Sequence, residues 1–587
     1  MRETPTPEMT FNLVDEPWVA VLDEGGKTSE VSLREVFHQA EEIRALAGEL
    51  PTQSFAILRV LLAVLHRACR GPHSFDEWED IRSDWAGVVE EIDEYLDIWH
   101  HRFWMRHPVE PFMQVPDLRT AKDEIFDLSR LICDGPGAST FLSTRLGAGL
   151  ESLSWAEAAR WLIHCQAYDI SGIHSGAVGD ARVKGGKGYG IGTGWAGQIG
   201  GINLVGRNLQ ETLLSNLIVP ATVGLDGVAE DSDADEPVWE RPSLTASPEY
   251  PGDKQGKKYR QPKGQVDLYT WPSRRIRLFD DEEHSRVTGV LNCQGDRATP
   301  QNRHVVEPMT GWRYSEPQTK ALGYDTYMPR KHDPTRALWR GLPALLPSVD
   351  QHSPGRSGPA RTLAPAVLRW IGVVQRRPEG ETGGSPLIEL QAVGMEYGTQ
   401  DAVYSDLVAE TIKLPAILFT QGYENAARTV MDMIALAEDI ARKLGDLARN
   451  IAFASGEDTA ADHARDVGLE KAYAAFEPVF REWVVTLAAD ADLREREIAW
   501  KTTLNEVGSM VAQRILDDAT PVAYVGRQVK TSMMNRYLDA GLAEAWFRSG
   551  LRKALPEAYR TDDDGASTEA TSVGADEATS REGETHG

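Results

Sequence analysis

Between Val430 and Ile451 the residues Val430, Met433, Ile434, Ala437, Ile440, Ala441, Leu444, Leu447, Ala448 and Ile451 recur at steps of three and four. That spacing places them on one face of an α-helix, and such a stripe needs an apolar partner to cover it. Further helical patterns fit about 459–489, 491–518 and 532–555, with short breaks between them. Four helices joined by short connections predict an antiparallel four-helix bundle over 406–560.

The remaining length calls for more than this bundle. A chain of 587 residues exceeds what one hydrophobic core usually serves. Phe11 to Leu22 reads as strand, turn, strand around Asp15-Glu16-Pro17. Thr52 is placed to cap a helix over Gln53–Arg70, with Phe55, Leu58, Leu61, Leu62 and Leu65 on one face. Ser154 opens a helix to Tyr168, and another runs from Asn208 to Leu217. Arg274 to Arg277 fits a strand, residues 296–360 fit loops and short strands, and Leu387 to Val403 suits a β-hairpin. The expected class is therefore α+β: a mixed α/β N-terminal domain with long loops over 1–405, then the four-helix bundle.

Net charge is −27, which argues against indiscriminate coating of DNA. Its distribution leaves room for a narrower contact. Asp562–Gly587 holds eight acids and one base, and Asp226–Arg241 holds seven acids and one base. These pieces belong to an acidic tail (561–587), expected to be disordered, and to a polar insertion (226–265) that turns basic at Lys254, Lys257, Lys258, Arg260 and Lys263. The N-terminal residues carry no apolar signal-peptide core, and Ala56–Leu65 is too short and is interrupted by Arg59 for a membrane span. A cytoplasmic protein without membrane contact is expected. Cys69, Cys133, Cys165 and Cys293 form no CxxC pair, so buried free thiols are expected rather than a metal site.

The least ordinary segment is Arg182–Gly197, in which seven of sixteen residues are glycine and two are lysine. Glycine permits positive φ and close approach of bare backbone, whose N–H groups can donate to a ligand. Gly192-x-Gly194-x-x-Gly197 matches a dinucleotide fingerprint in form, but no hydrophobic strand precedes it and no helix starts on it. A phosphate-binding P-loop ending in Gly-Lys-Ser/Thr is also missing from this segment. A plain flexible loop and a ligand-approaching loop both remain open. His332-Asp333 lies in a Pro-bounded turn, and His164 and His174 have no acidic partner at ligand spacing. No catalytic constellation is visible, so neither an enzyme nor a cofactor is expected.

Several segments, taken in order, resemble the CasA family, the large subunit of the type I-E CRISPR Cascade surveillance complex. They are Phe11–Trp18, His107–Gln114, the glycine run, Met309–Arg313 with Thr319-Lys320, Tyr327–Pro334 and the turn Tyr397–Val403. The resemblance spans about residues 11–555. It implies recognition of a protospacer-adjacent motif from the minor groove of target double-stranded DNA, by three elements. These are a glycine loop (Gly185, Gly186, Lys187, Gly188), a lysine finger (Lys320) and a glutamine wedge (Gln400 between Thr399 and Asp401).

The resemblance further implies partners: the other Cascade subunits, the CRISPR guide RNA, and a helicase–nuclease recruited after R-loop formation. A docking loop for the guide RNA would include Phe141, Ser143 and Arg145. Arg442, Lys443, Arg449 and Arg514 are candidate contacts to the displaced strand. Some family members hold zinc on a cysteine cluster; here only Cys293 stands in the corresponding Asn292–Asp296 segment, so no metal is expected. A stand-alone nucleotide-binding enzyme and a purely structural scaffold are the alternative readings.

Overall fold

Helix α1, Pro51–Ala68, is buried along most of its circumference and so acts as a core helix rather than an amphipathic one. The computed structural model describes residues 9–133, 145, 148–225, 234–249, 259–346, 359–375, 387–488, 490–530 and 535–559. Two compact units divide between Gly422 and Tyr423. The expected Thr52 cap is corrected: Leu50 is the cap without a side-chain bond, and Pro51, whose φ is already helical, starts the helix. The Thr52 hydroxyl instead meets His164 Nε2 at 3.0 Å. Arg59, which interrupts the apolar run, is itself buried and pairs with Glu307 through both guanidinium nitrogens, at 3.0 and 2.8 Å. A charge can be held in the interior only with such a partner.

Helix α2, Trp155–Tyr168, packs on α1 and opens with the predicted Ser154 cap, closed reciprocally by Glu157. The two N-terminal strands do not pair with each other. Thr10–Asn12 joins Trp104–Arg106, while Val19–Asp23 joins Thr28–Val31 and Ile43–Leu46.

Three further sheets carry the features that matter for function. In the first, β1 (His174–Ser175) lies between β2 (Lys187–Gly188) and a longer strand. In the second, β3 (Gly201–Val205) is the edge strand, followed in the chain by the expected helix, α3 (Leu209–Asn216), which Asn208 caps. The longer strand beside β1 is β5 (Val287–Gln294), which pairs antiparallel with β4 (Arg274–Asp280). The third sheet joins β6 (Trp312–Tyr314), β7 (Tyr327–Pro329) and β8 (Thr362–Leu363), and helix α4 (Glu316–Leu322) leaves between β6 and β7.

The predicted hairpin is longer than its sequence pattern implied. Strand β9, Leu387–Tyr397, pairs along its length with β10, Tyr404–Pro415, and also with β3. Residues 398–403 are therefore the tip and not the second strand, and the boundary expected at 405 falls inside the hairpin.

In the second unit, helix α5 (Glu424–Ser455) buries the predicted stripe from Val430 to Ile451, with Ala448 half-buried at its margin. It packs against α6 (Ala461–Val484), α7 (Leu493–Asp517) and, beyond a short helix α8 (Pro521–Val525), α9 (Ala540–Ala554). Gly445 and Gly468 let α5 and α6 approach closely: a Cβ on Gly468 would lie 3.1 Å from the Gly445 Cα. The helix expected to start near 532 begins later, because β11 (Arg527–Lys530) and β12 (Asn535–Leu538) form a hairpin first and Asp539 caps α9.

Candidate nucleic-acid interface

The glycine run is a tight turn rather than a slack loop. Lys184 and Lys187 exchange both backbone hydrogen bonds, at 3.1 and 3.2 Å, closing a two-residue loop around Gly185 and Gly186. Both glycines have positive φ, +59° and +74°, as a two-residue hairpin loop of the primed type requires. A Cβ at either position would meet nothing within 4 Å, so their bare surface faces outward. Lys184 and Lys187 are exposed on either side, whereas Gly188 is buried against Gln294 and the Ser175 carbonyl.

Gln400 occupies a second exposed tip. Its backbone is left-handed (φ +59°, ψ +24°), and Asp401 follows at φ +53°. Each such residue without glycine's freedom costs about 1–2 kcal/mol, a strain typical of functional loops. The surrounding bonds hold the tip in place: Gly398 N–H donates to the Val403 carbonyl and Asp401 N–H to the Gly398 carbonyl, both at 2.9 Å. A register shift at Glu396/Tyr397 marks where the regular ladder gives way to the tip.

Ser171 joins the Gln400 tip to the glycine-rich segment that follows the turn. Its N–H donates to the Asp401 carbonyl at 2.7 Å, and its Oγ accepts from Gly192 N–H at 3.2 Å. Gly190 presses on the same residue, since a Cβ there would lie 2.0 Å from the Ser171 carbonyl oxygen. Below them Tyr397, the last residue of β9, donates its hydroxyl to the Tyr168 carbonyl at 2.6 Å and fills the space a Cβ on Gly197 would need. The spacing 192–194–197 is thus used for packing within the chain, and Trp195 bonds Glu307 at 2.6 Å.

A buried ionic cluster supports this ground. Asp169 meets Arg274 at 2.6 Å and His174 at 2.7 Å, and Arg274 also donates to the carbonyls of Ile170 and Gly192. Burial by itself would raise the Asp169 carboxyl; Arg274 and His174 override it and hold the group well below the usual carboxylate range. His174 therefore has an acidic partner five residues before it. The sequence pattern missed this because the pair is made by the chain turning back after α2, not by helical spacing. His164 has none and is held neutral by burial, its pKa lowered to about 3. His332 bonds the Gly201 carbonyl and Asp333 caps its own turn.

The other candidates lie on other elements. Lys320 is exposed in the last turn of α4, with no ion-pair partner among the described residues. No hydrogen bond among these residues joins α4 to either tip. Arg145 is engaged internally, with Glu49 (2.6 Å) and Glu157 (2.8 Å), while Phe141 and Ser143 lie outside the described residues. In the second unit Arg442 and Lys443 pair with Asp439 and Arg449 pairs with Asp462; Arg514 is exposed, and its guanidinium donates to the Met510 sulfur at 3.7 Å. Cys133, Cys165 and Cys293 are buried, and burial pushes Cys293 up to about 12. Among the described residues no group of three acids, histidines or cysteines could hold a metal, and no helix is long and apolar enough to cross a membrane.

Residues 12–510 match the family model described as CRISPR-associated protein Cse1. The chain belongs to the CRISPR-associated Cse1 family. A curated relative, CRISPR-associated protein CasA/Cse1 of Thermus thermophilus, is 29% identical over 467 residues, 78% of this chain and 82% of its own length. The Cse1 crystal structure from Thermobifida fusca has a TM-score of 0.82 at 39% identity, covering 94% of this chain and 99% of that one. Cse1 from Acidimicrobium ferrooxidans has a TM-score of 0.77 at 28% identity, covering 94% and 100%. Both sheet-borne tips and the helical unit thus belong to a Cse1 fold.

Proposed function

We propose that this chain is the large subunit of a type I-E Cascade assembly. In that role it reads the protospacer-adjacent motif of target duplex DNA from the minor groove, helps open the duplex for guide-RNA pairing, and helps recruit the helicase–nuclease. The observation that carries this reading is the presence in one unit of two exposed tips, one of bare backbone and one carrying Gln400, with Ser171 anchoring the second to Gly192 in the glycine-rich segment. The minor groove is about 6 Å wide, so a turn without Cβ atoms can approach its floor where ordinary side chains cannot. Lys184 and Lys187 flank that turn and suit the two phosphate rails of the groove. Lys320, exposed and uncommitted, is a cation long enough to reach base-edge acceptors.

Gln400 would act differently, by entering the stack next to the motif and holding the strands apart. Stacking is worth about 1.4 kcal/mol per step, so a wedge eases the start of guide pairing by about tenfold. The chain acts by binding and not by turnover, in the cytoplasm and within a complex of protein and guide RNA. Arg145 and its neighbouring loop contribute guide-RNA docking, and Arg514 is the bundle cation best suited to a displaced strand. The nucleotide-enzyme alternative gains no support from the glycines at 192–197: Gly194 and Gly197 press against Ala167 and Tyr397, and the helix that Gly194 opens is only the 3-10 turn Trp195–Gln198.

The test is Gln400→Ala in the reconstituted complex. The expected result is weaker R-loop formation on closed duplex with near-normal binding to a pre-opened target. Equal loss on both substrates would contradict the wedge.

A further inference from the structure

The segment Pro329–Pro334 has no role in the account so far, yet its backbone is fixed beside the wedge hairpin. Arg330 N–H donates to the Gly311 carbonyl at 2.8 Å and its carbonyl accepts from Gly200 at 3.2 Å. His332 bonds the Gly201 carbonyl at 2.9 Å and lies against Gly394 of β9, where a Cβ would come 3.3 Å from its ring. Between them Lys331 is exposed, its Nζ 5.0 Å from the centre of the Tyr397 ring. Tyr397 is the residue from which the Gln400 tip departs, and its buried hydroxyl fixes the ring. The ammonium thus lies over an aromatic face at the root of the wedge, with no acid partner among the described residues.

Arg330, the preceding residue, adds a second cation. It is half-buried and, among the described residues, its guanidinium has neither an acid partner nor a hydrogen bond. Burial lowers its pKa, and Arg336 nearby lowers it further. Buried cations ordinarily have a partner, and Asp333, the one acid of the segment, spends its Oδ1 on capping Thr335. Among the described residues neither cation has an acid partner, so both are open to an external anion.

The geometry points to Arg330 and Lys331 as a phosphate-binding element that grips the DNA backbone at the root of the Gln400 wedge. This rests on the wedge reading and extends it. A wedge that enters a stack needs the parted strand held beside it, or the step closes again. Backbone phosphates next to the motif are the anions that such a position meets. Contacts of this kind position the duplex and carry no sequence information.

The experiment is a salt titration of target-duplex binding by the reconstituted complex, with wild type, Lys331→Gln, Lys331→Arg, Arg330→Gln and Gln400→Ala compared. Each phosphate contact contributes about 0.9 to the slope of log K against log salt. Lys331→Gln is expected to reduce that slope by about one contact and to weaken binding equally for every motif, with Lys331→Arg restoring both. Arg330→Gln should do the same; because Arg330 is half-buried, its melting curve is checked first, and the exposed Lys331 keeps the test independent of folding. An unchanged slope in Lys331→Gln overturns the proposal, and so does a loss confined to particular motifs. Gln400→Ala separates the two readings. A duplex-selective defect there with an unchanged Lys331 slope removes only the phosphate site. No duplex-selective defect removes the wedge, whatever Lys331 does.

Discussion

The amide of Ser171 donates to the carbonyl of Asp401 across 2.7 Å and fixes the Gln400 tip to the strand-poor segment that leads into the glycine turn. Gly190 closes on the same serine, so the glycine-rich segment past the turn and the Gln400 tip share one anchor. The functional account therefore depends on distances within the fold as well as on which residues sit at the tips.

Gly190→Ala tests that coupling. Its Cβ would lie 2.0 Å from the Ser171 carbonyl oxygen, so backbone must move. Overpacking of this kind costs about 1–3 kcal/mol. The expected outcome is a lowered melting temperature together with a loss of motif-dependent duplex binding larger than the loss on pre-opened target.

Gly185→Asn and Gly186→Val separate the shape of the turn from its bare surface. Asn-Gly is favoured in two-residue hairpin loops, so Gly185→Asn should melt within about 0.5 kcal/mol of wild type. It should still weaken motif binding, because its side chain enters the open space above the tip. Gly186→Val places a β-branched residue at φ +74°, which should disrupt the turn and weaken motif binding while leaving complex assembly intact.

Lys320→Ala should leave stability within about 0.5 kcal/mol, since Lys320 is exposed and unpaired among the described residues. If Lys320 reads base edges, motif binding falls by about 1–3 kcal/mol and the preference among motifs relaxes. Melting curves and competition binding with altered motifs measure the two effects separately.

Asp169 should make the first unit acid-sensitive. Its carboxyl is held below its unfolded value, so the stabilisation it provides is complete above that value, about 3.9, and is lost as pH falls toward the folded one. Acid unfolding should therefore steepen below about pH 4 in wild type and flatten in Asp169→Asn. That variant should lose about 3–5 kcal/mol near neutrality, because Arg274 is left buried without its charge partner. Denaturant unfolding at several pH values measures both.

Much of this was legible in the chain itself. The Val430–Ile451 stripe, the Ser154 cap and the four long C-terminal helices follow from periodicity and local capping chemistry, which are properties of neighbouring residues. The hairpin Leu387–Pro415 was underestimated because β10 alternates poorly and one of its faces is exposed. Arg59, expected only to interrupt an apolar run, proved to be a core residue because Glu307 reaches it from 248 positions away. The same limit applies to the site. The glycines stood out by composition and Lys320 and Gln400 only through the family resemblance, while the Ser171 tie, the His174–Asp169 pair and Lys331 over Tyr397 depend on tertiary contacts that no local pattern encodes.

Target binding by the reconstituted complex, with and without this chain, on duplexes that differ only in the flanking motif tests the central claim most directly. The account predicts that the complete complex discriminates among motifs and that omitting the chain abolishes the discrimination. An unchanged motif preference on omission would contradict it.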